Sequence, residues 1–325
     1  MPGDDLTLTD WVHDYWLPLM RSQVKPSTFD SYRRNLDLHV LPYLGQLPLH
    51  QITPLRLNRL YAELLKSGRR NGPGGLSAKT VRYLHTTIHG MLADAVEAEV
   101  IAANPASRAK APRPSRVAPI DLHFWTPEEL RRFLHFTRGH PLAVAWRLAA
   151  MTGMRRGEVL GLRWADVDLD LGRLAVRHAI ISVAYEILES TPKTHHARVI
   201  DLDTETGRQL RAHHNRQEGE RTAAAVVGDL VFGRPDGEPI HPDSFSQAFD
   251  RVVARSGLPR IRLHDLRHSH ATIALRAGVP AKVISERLGH STPAFTLHQY
   301  AHVIPGMQAE AAAQIATLVD QNRAA

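Results

Sequence analysis

The sequence contains no cysteine. Disulfide bonds, thiolate zinc sites and cysteine nucleophiles are therefore excluded. Long apolar runs are also missing, since no stretch approaches the ~20 residues that a membrane-spanning helix needs. The first ten residues, MPGDDLTLTD, lack both the basic and the apolar region of a secretion signal. These absences predict a cytoplasmic protein.

Lysine is scarce as well, because six lysines stand against 34 arginines. The net charge of +7 and the pI near 9.9 favour a polyanionic partner. Arginine binds phosphate through a bidentate fork, but an Ala- and Arg-rich composition is also what a GC-rich genome encodes. Charge alone therefore leaves a nucleic-acid-binding protein and a merely basic soluble enzyme equally open.

With 325 residues the chain has room for two domains. Residues 6 to 104 predict the first as a helical unit, because apolar residues recur there at helical spacing. The predicted helices run from Leu6 to Met20, from the cap Ser27 through Val40, from Thr53-Pro54 to Gly68, and from the cap Ser77 through Val96. Asn104-Pro105 closes the unit, so we place the first domain at residues 1–105.

A basic, proline-containing stretch follows at residues 106–123 and predicts an extended linker. The second domain then spans residues 124–325 and opens at Thr126-Pro127, with acidic residues in the first helical turn. Strand patterns occur at Arg173–Ile181 and Arg198–Leu202, and helices resume at about 242–256, 263–277, 281–288 and 307–320. The sequence predicts a mainly α protein with one small antiparallel β-sheet in an α+β second domain.

Four short motifs in the second domain carry candidate chemistry. They are TGMRRGE at residues 152–158, TPKT at 191–194, HDLRH at 264–268, and LGH at 288–290, ten residues before Tyr300. Each is weak alone. In a chain with 20 histidines and 34 arginines one HxxR is expected by chance, and Lys193 in a polar turn would normally be solvated. Tyr300 by itself would be a half-buried packing residue.

The histidines around the third motif could instead bind a metal, since His264, His268 and His270 are close in sequence. Against this, Arg267 would place a permanent cation beside the ion. No metal site is therefore predicted.

Taken in order, TGMR, PKT, HDLRH, LGH and the final tyrosine closely resemble the tyrosine recombinase, or phage integrase, family. The resemblance covers the whole second domain. It extends weakly into the first, where TLTDW, KPST, LGQLPL and GLSAKTVRYLH are similar to the family's SAM-like core-binding domain. It implies a helical core-binding domain followed by an integrase-type catalytic domain. The implied function is that of a site-specific DNA recombinase, which integrates or excises a mobile element such as a prophage.

The resemblance also implies roles for individual residues. The matched catalytic positions are Arg155, Lys193, His264, Arg267, His290 and the nucleophile Tyr300. Glu158 matches an acidic position that orients Arg155 rather than touching substrate. No member of the set is substituted, so nothing suggests an inactive enzyme.

The chemistry explains why these residue types are needed. Attack on a phosphodiester spreads negative charge over two non-bridging oxygens, which two arginine forks can bind. Guanidinium charge would favour the phenolate of Tyr300, and we expect His264 to accept its proton. Lys193 is the candidate acid for the 5′-oxygen, and His290 is expected to donate a hydrogen bond to the phosphate. Because a 3′-phosphotyrosyl link conserves the bond energy, neither ATP nor a metal nor any other cofactor is expected.

Contacts with double-stranded core sites are expected from two helices of the first domain. The candidates are Lys25, Thr28, Arg33, Lys79, Thr80, Arg82 and Tyr83. A solvated helix face is the alternative for any one of them. The resemblance implies a dimer on each site and a homotetramer at synapsis in a bacterial cytoplasm, and it leaves room for a DNA-bending or directionality accessory protein.

Two features of the chain ends bear on this assembly. The terminal helix has an apolar stripe at Ala311, Ile315 and Leu318, for which docking into a neighbouring protomer is favoured over packing on its own domain. The helical unit begins near residue 6, which leaves no room in this sequence for the arm-binding domain of many phage integrases, so we expect either that the protein uses only core sites or that the sequence is truncated.

Three other functions stay open at this point. A non-catalytic DNA-binding accessory protein could keep the fold without turnover. A type IB topoisomerase-like enzyme would share the chemistry but not strand exchange. A metal-dependent hydrolase is the most distant alternative, because it needs a carboxylate cluster that the sequence does not display.

Overall fold

The structure is a computed structural model. It describes residues 5–113, 123–191, 197–220, 229–300 and, near the C-terminus, 312–313, 315–317 and 319. The chain divides into two compact units, residues 1–119 and 120–325. Each unit has its own apolar core.

The N-terminal unit is built from short and medium helices. They are α1 (Leu8–Asp10), α2 (Leu17–Gln23), α3 (Pro26–His39), α4 (Leu41–Leu44), α5 (Pro54–Ser67) and α6 (Ala78–Glu97), with 3₁₀ turns at Leu49–Gln51 and Pro105–Arg108. A π-helical stretch, Trp11–Trp16, joins α1 to α2. Pro18 accounts for it, because proline lacks an N–H and its ring clashes with the carbonyl four residues earlier. The N–H of Leu17 reaches back to the carbonyl of Val12 instead.

The predicted helix start at Thr53-Pro54 and one of the two predicted caps in this unit, Ser77, are confirmed. The side chains of Thr53 and Ser77 accept hydrogen bonds from backbone N–H groups in the first turns of α5 and α6. The prediction for Ser27 is wrong, because α3 begins at Pro26 with Lys25 as its N-cap. Proline at the first helical position has a backbone angle that already suits the helix and needs no donor there, so the helix starts earlier than a serine cap would allow.

The predicted linker contains residues that pack on this unit. Ala106 is buried in the N-terminal core, and the backbone N–H of Lys110 donates to Oδ1 of Asn58 at 2.6 Å. Residues 114–122 of the predicted linker lie outside the described part of the chain. The boundaries at 105 and 123 stay predictions.

The C-terminal unit is also mostly helical. Its helices are α7 (Pro127–Phe136), α8 (Ala143–Thr152), α9 (Arg156–Leu160), α10 (Thr204–Glu220), α11 (Pro242–Ser256), α12 (Asp265–Arg276), α13 (Ala281–Leu288) and α14 (Pro293–Tyr300), with a 3₁₀ turn at Trp164–Asp166. The predicted start of α7 is confirmed, since Thr126 and Glu129 form a reciprocal capping box. Buried aromatic rings from α7, α8 and α11 hold the core together, with Phe133 lying between Trp146 and Phe249.

The strands of this unit form two antiparallel sheets within the described residues, not the single sheet predicted. One sheet orders β1 (Val167–Asp168), β2 (Arg173–Val176) and β5 (Arg198–Asp201), and the other pairs β3 (Ala179–Val183) with β4 (Glu186–Ser190). The predicted strand Arg173–Ile181 is therefore two strands in different sheets. The β3–β4 hairpin was missed because its turn residues, Ala184 and Tyr185, are not the glycine or asparagine that usually mark a turn with positive φ.

Two helices were also missing from the sequence prediction. Helix α10 buries only Thr206 and Leu210, so its apolar stripe is too thin to recognise. Helix α14 had a signal, because Thr292-Pro293 is the same start signature as Thr53-Pro54. Of the predicted C-terminal helix, residues 312–313, 315–317 and 319 are helical and exposed, while Ala311 and Leu318 lie outside the described residues.

None of the described helices is both long and apolar enough to cross a lipid bilayer.

Candidate active site

Arg155 lies at the break between two helices. Helix α8 ends at Gly153, which adopts a left-handed conformation with φ of 68°, and α9 begins three residues later. A β-carbon at Gly153 would lie 2.4 Å from Cδ2 of Leu288 and 2.9 Å from Cδ2 of His270. Glycine is therefore required both by the backbone angle and by the close approach of α12 and α13. This turn exposes the side chain of Arg155 by 25%.

Glu158 fixes Arg155 and also binds a second arginine. Its carboxylate is 2% exposed and accepts hydrogen bonds from Nη1 and the backbone N–H of Arg155 at 2.8 and 2.9 Å. Nη1 and Nη2 of Arg198, on β5, donate to the same carboxylate at 3.1 and 2.6 Å. The charges and hydrogen bonds of the two arginines outweigh burial and hold the pKa of Glu158 below its ordinary value. The site thus contains an Arg–Glu–Arg group around a buried carboxylate.

Arg267 connects two of the sequence motifs through backbone carbonyls. It lies in α12, is 4% exposed, and donates to the carbonyl of Gly153 at 2.7 Å and to the carbonyl of Leu288 at 2.6 Å. Burial, reinforced by the charge of Arg155, lowers the pKa of Arg267 to about 9. The guanidinium still carries its charge at neutral pH. It is therefore a desolvated cation whose most favourable additional ligand is an anion.

The third motif residue, His290, follows a second left-handed glycine. Gly289, with φ of 64°, ends α13, and its carbonyl accepts a hydrogen bond from Nη2 of Arg155 at 3.2 Å. Nδ1 of His290 shares a 2.7 Å hydrogen bond with the hydroxyl of Thr296 in α14. Burial, followed by the charges of Arg267 and Arg155, lowers the pKa of His290 to about 3. His290 is neutral at physiological pH, so one ring nitrogen keeps a proton to donate.

Tyr300 ends α14, one helical turn after Thr296. Its ring is 1% exposed and packs with Ala271, Leu275 and Leu288 of α12 and α13. Nδ1 of His268 lies 2.8 Å from the Tyr300 hydroxyl. Burial raises the pKa of Tyr300 to about 12, although the charge of Arg267 acts in the opposite direction. The expected stabilisation of the phenolate is present but is smaller than the cost of burial, so the hydroxyl is protonated in the free protein.

The three histidines of α12 and its cap do not converge on one point. The rings of His264 and His268 meet edge to face with their centroids 5.3 Å apart. His270 turns away toward α8, where its Nδ1 donates to the carbonyl of Ala150 at 3.1 Å. Among the described residues, no group of three His, Asp or Glu side chains is arranged to hold a metal ion.

The structure brings together most of the residues implied by the resemblance. Arg155, Glu158, Arg267, His290 and Tyr300 are joined by the contacts above. Lys193 lies outside the described residues, so its role stays a prediction. His264 keeps its position at the start of α12, but the nitrogen next to the Tyr300 hydroxyl belongs to His268.

Two residues of the site were not assigned a catalytic role from the sequence. His268 was considered only as a metal ligand, although its position four residues after His264 places both rings on one helix face. Arg198 begins the predicted strand at 198–202, but nothing in the sequence indicated that it would reach Glu158, 40 residues away along the chain.

The candidate DNA contacts of the N-terminal unit lie on and near two adjacent helices. The hydroxyl of Tyr83 on α6 shares a 3.0 Å hydrogen bond with the hydroxyl of Ser31 on α3. Lys79 and Arg82 are exposed, whereas Arg33 is paired with Asp30 at 2.8 Å. Thr80 takes part in the cap of α6 with Ser77. We call the exposed part of α3 and α6 that carries these residues the polar surface, and its contact with DNA stays a prediction.

Comparison with known proteins gives two family matches. Residues 123–306 match the family described as "Phage integrase family". Residues 7–65 match the domain described as "Phage integrase, N-terminal SAM-like domain". The first match covers more than half of the chain.

One relative is similar over nearly the whole chain. A "Tyrosine recombinase XerC-like" protein of Caldanaerobacter subterraneus subsp. tengcongensis is 29% identical over 327 residues, covering 94% of this chain and 82% of the relative.

Among solved structures, the Tn1549 transposon integrase in complex with transposon right end DNA has a TM-score of 0.77 at 20% identity, over 96% of this chain and 100% of that one. A lambda integrase tetramer bound to a Holliday junction has a TM-score of 0.67 at 18% identity, over 91% of this chain and 78% of that one. At these identities the structures support the two-domain fold, with a SAM-like domain before a catalytic domain.

Proposed function

The chain belongs to the phage integrase family, and from this membership we propose that it is a site-specific DNA recombinase of the tyrosine type. It cleaves and rejoins DNA strands through a 3′-phosphotyrosyl intermediate on Tyr300, and so integrates or excises a mobile element. The observation that carries the proposal is the position of Arg267, which donates to Gly153 and Leu288 and so links the TGMR and LGH motifs near the buried Tyr300.

The reaction follows from this arrangement. Arg155 and Arg267 bind the two non-bridging oxygens of the scissile phosphate and stabilise the charge that accumulates as the Tyr300 oxygen attacks. Tyr300 gives its phenolic proton to His264 as it attacks, the bond from phosphorus to the 5′-oxygen breaks, and that oxygen takes a proton from Lys193. His290, which is neutral, donates a hydrogen bond to the phosphate. A 5′-hydroxyl of the partner strand then attacks the phosphotyrosine and returns its proton to Lys193, while Tyr300 leaves and recovers its own proton, which reseals the DNA.

Glu158 acts on this chemistry through Arg155. Its carboxylate holds the guanidinium from one side and leaves the exposed edge of the fork for phosphate. The energy of the phosphodiester is kept in the phosphotyrosine, so the cycle needs no ATP, and the two arginines supply the positive charge at the phosphate.

The proposed substrate is a double-stranded core site, bound by two copies of the chain, with four copies at synapsis. The related lambda integrase forms a tetramer on a Holliday junction, which supports this assembly. The polar surface that contains Lys79, Arg82 and Tyr83 would contact the DNA, together with Lys25 and Thr28. A DNA-bending or directionality protein would act on this complex, which we place in a bacterial cytoplasm because relatives come from bacteria and their phages.

A suicide-substrate experiment tests the proposal. A nicked duplex, selected from a random pool for tight binding, is incubated with the protein in EDTA, and covalent adducts are separated by denaturing electrophoresis. We expect an adduct with the wild-type protein and none with Tyr300→Phe, while both bind the duplex equally. Tight binding without an adduct would favour the non-catalytic DNA-binding protein. An adduct that relaxes supercoiled plasmid but never exchanges strands would favour the topoisomerase-like enzyme.

A further inference from the structure

Arg198 is a third arginine of the candidate active site, and every nitrogen of its guanidinium donates to the protein. It begins β5, and its side chain is 10% exposed. Nη1 and Nη2 donate to the carboxylate of Glu158 at 3.1 and 2.6 Å, and Nε donates to the carbonyl of Arg287 at 2.8 Å. Two donors on one carboxylate form the bidentate pair that suits the planar arginine fork. Because its fork is occupied in this way, Arg198 is not placed to bind a substrate phosphate.

Gly289 leaves the room that Arg198 occupies. A β-carbon at this position would lie 3.0 Å from Nη1 of Arg198 and 3.2 Å from its Cδ and Cζ. The carbonyl of the same glycine accepts a hydrogen bond from Arg155, and the next residue in the chain is His290. Arg198 therefore packs against the turn of the LGH motif while it pairs with Glu158 of the TGMRRGE motif.

The charges of Arg155, Glu158 and Arg198 explain what the second arginine adds. Glu158 is 2% exposed, and its negative charge lies beside Arg155, which we propose to bind the phosphate. A pair of Glu158 and Arg155 alone would carry no net charge, and its carboxylate would repel the negative charge that develops on the phosphate. With Arg198 included, the group keeps one positive charge. Arg155 is the more exposed of the two arginines, so that charge is available to substrate at Arg155.

We propose that Arg198 is a positioning residue for cleavage, which offsets the charge of Glu158 and so leaves the positive charge of Arg155 for the scissile phosphate. This inference rests on the proposed recombinase function. In this role Arg198 takes part in no bond change, and its effect passes through Glu158 to Arg155. The state of the carboxylate agrees with the role. Burial acts to raise the pKa of Glu158, but the hydrogen bonds and charges of Arg198, followed by those of Arg155, hold it below its ordinary value.

A purely structural role is the alternative. Arg198 also joins β5 to the end of α13 through the carbonyl of Arg287. If this link were its function, replacing Arg198 would loosen the C-terminal unit whatever residue stood at position 158. The two roles therefore differ in whether the effect of Arg198 depends on the charge of Glu158.

A double-mutant cycle between Arg198 and Glu158 separates the two roles. We would measure single-turnover adduct formation at saturating suicide duplex for the wild-type protein, Arg198→Met, Glu158→Gln and the double variant, each shown to be folded by circular dichroism. Loss of a direct donor to the reacting group costs about 10²–10³-fold, so Arg198→Met, which acts through Arg155, should be slower by at least about 10-fold. In the Glu158→Gln background no carboxylate charge is left to offset, so adding Arg198→Met should change the rate little.

Arg198→Lys tests the charge directly. Lysine keeps the positive charge beside Glu158 but replaces the fork with a single ammonium group. We therefore expect Arg198→Lys to form the adduct at close to the wild-type rate, whereas Arg198→Met is slow. This rescue by a conservative replacement would not be expected if the function of Arg198 were to join Glu158 and Arg287 through its three nitrogens.

Arg147→Met is the matched control. The side chain of Arg147 is 14% exposed, and it donates to Asp203 at 2.8 Å and to Thr206 at 2.9 Å. It is therefore a comparably buried, paired arginine of the same unit, but its partners are not residues of the candidate active site. Its replacement should lower the stability of the protein and leave the rate of adduct formation by the folded protein at the wild-type value.

Several outcomes would overturn the inference. The same loss from Arg198→Met with and without the Glu158 carboxylate would assign Arg198 a structural role. Arg198→Lys as slow as Arg198→Met would show that the fork matters rather than the charge, and Arg198→Met as fast as the wild-type protein would show that neither does.

The design also covers a variant that does not fold. If Arg198→Met alone were unfolded, the double variant, which leaves no buried carboxylate without its partner, would be compared with Glu158→Gln. Equal rates would support the inference, and a slower or unfolded double variant would overturn it. Failure of the proposed function is distinct from all of these outcomes, because the wild-type protein would then form no Tyr300-dependent adduct.

Discussion

The two arginines proposed to bind the phosphate carry the same group, but the protein holds them in different ways. Arg155 is 25% exposed and is hydrogen-bonded to the carboxylate of Glu158. Arg267 is 4% exposed, and its hydrogen bonds among the described residues go to two backbone carbonyls. One arginine is therefore partly neutralised before substrate arrives, whereas the other is a buried charge whose hydrogen bonds, among the described residues, go to backbone dipoles. The difference indicates that Arg267 gains most from a bound phosphate.

The two arginines also differ in how far they hold other residues of the site in place. The carbonyls bound by Arg267 belong to the turns that precede Arg155 and His290. Arg267 is thus both a candidate phosphate ligand and a link that holds the other ligands in place. Arg155 is oriented by the hydrogen bond that it donates to Glu158. It donates a second one to the carbonyl of Gly289 at the end of α13. Replacing each arginine with lysine, which keeps the charge and removes the fork, tests this difference between Arg155 and Arg267.

The largest effect is expected at Arg267. A lysine there has a single nitrogen in place of the planar fork and cannot reach both carbonyls and the phosphate with the same geometry, so we expect Arg267→Lys to lower the rate of adduct formation by about 10³-fold. Arg155→Lys can still pair with Glu158 and present a charge, so a loss of about 10²-fold is expected. These values are the two ends of the range for removing one preorganised donor. Single-turnover rates at saturating DNA provide the measurement, and equal losses, or the reverse order, would contradict the comparison.

The next largest effect is expected on the free energy of unfolding rather than on the reaction rate. Glu158→Gln removes the buried charge that Arg155 and Arg198 share, and its amide N–H groups would face their donors. Breaking a buried ion pair by removing one partner costs about 3–5 kcal/mol, and we expect a loss of this size in thermal or urea unfolding of the full chain. Asp170→Asn is the matched control, because Asp170 pairs with Arg211 in an exposed ion pair and should change stability very little.

Acidification should reduce the difference in the free energy of unfolding between Glu158→Gln and the wild-type protein. The pKa of Glu158 is lowered in the folded protein, where the hydrogen bonds and charges of Arg198 and Arg155 outweigh burial. Its stabilisation is therefore complete above the unfolded pKa of about 4.3 and is lost as the pH falls through the lower folded pKa. Unfolding measured between pH 7 and pH 3 checks the sign. If the difference in the free energy of unfolding grew on acidification, the ionised carboxylate of Glu158 would not be the form that stabilises the folded protein.

The sequence predicted those parts of this arrangement that depend on local signals. Gly68 indicated the end of α5, and Thr or Ser before an apolar stripe indicated the starts of α5, α6 and α7. These features are set by a few neighbouring residues. The motif order and its resemblance to a family indicated which side chains to bring together.

Features that depend on distant contacts were not predictable in the same way. Arg198 reaches Glu158 from another strand, and whether His264 or His268 faces Tyr300 depends on how α14 packs against α12. The β3–β4 hairpin was missed because Ala184 and Tyr185 adopt positive φ without the usual turn residues. In each case packing between elements overrides a weak local preference.

The smallest effect is expected when an exposed cation of the N-terminal unit is replaced. Such a cation differs most from Arg267, which is buried in the candidate active site. Lys79 is exposed at the start of α6, on the surface proposed to contact DNA. A cation of this kind contributes through counterion release rather than through the reaction, so Lys79→Ala should weaken binding and reduce the salt slope by about 1. The rate of adduct formation at saturating DNA should stay at the wild-type value.

Lys66, an exposed lysine near the end of α5, is the matched control for this prediction. It lies outside the proposed surface, so Lys66→Ala should leave both affinity and salt slope unchanged, as measured by fluorescence anisotropy between low and moderate salt. If the two lysines behaved alike, the polar surface formed by α3 and α6 would not be the DNA contact. If Lys79→Ala slowed cleavage at saturation, the division between binding cations and catalytic arginines would be wrong. The contrast between Arg267 and Lys79 therefore tests whether a cation in the candidate active site acts on the reaction rate while a cation on the polar surface acts on binding alone.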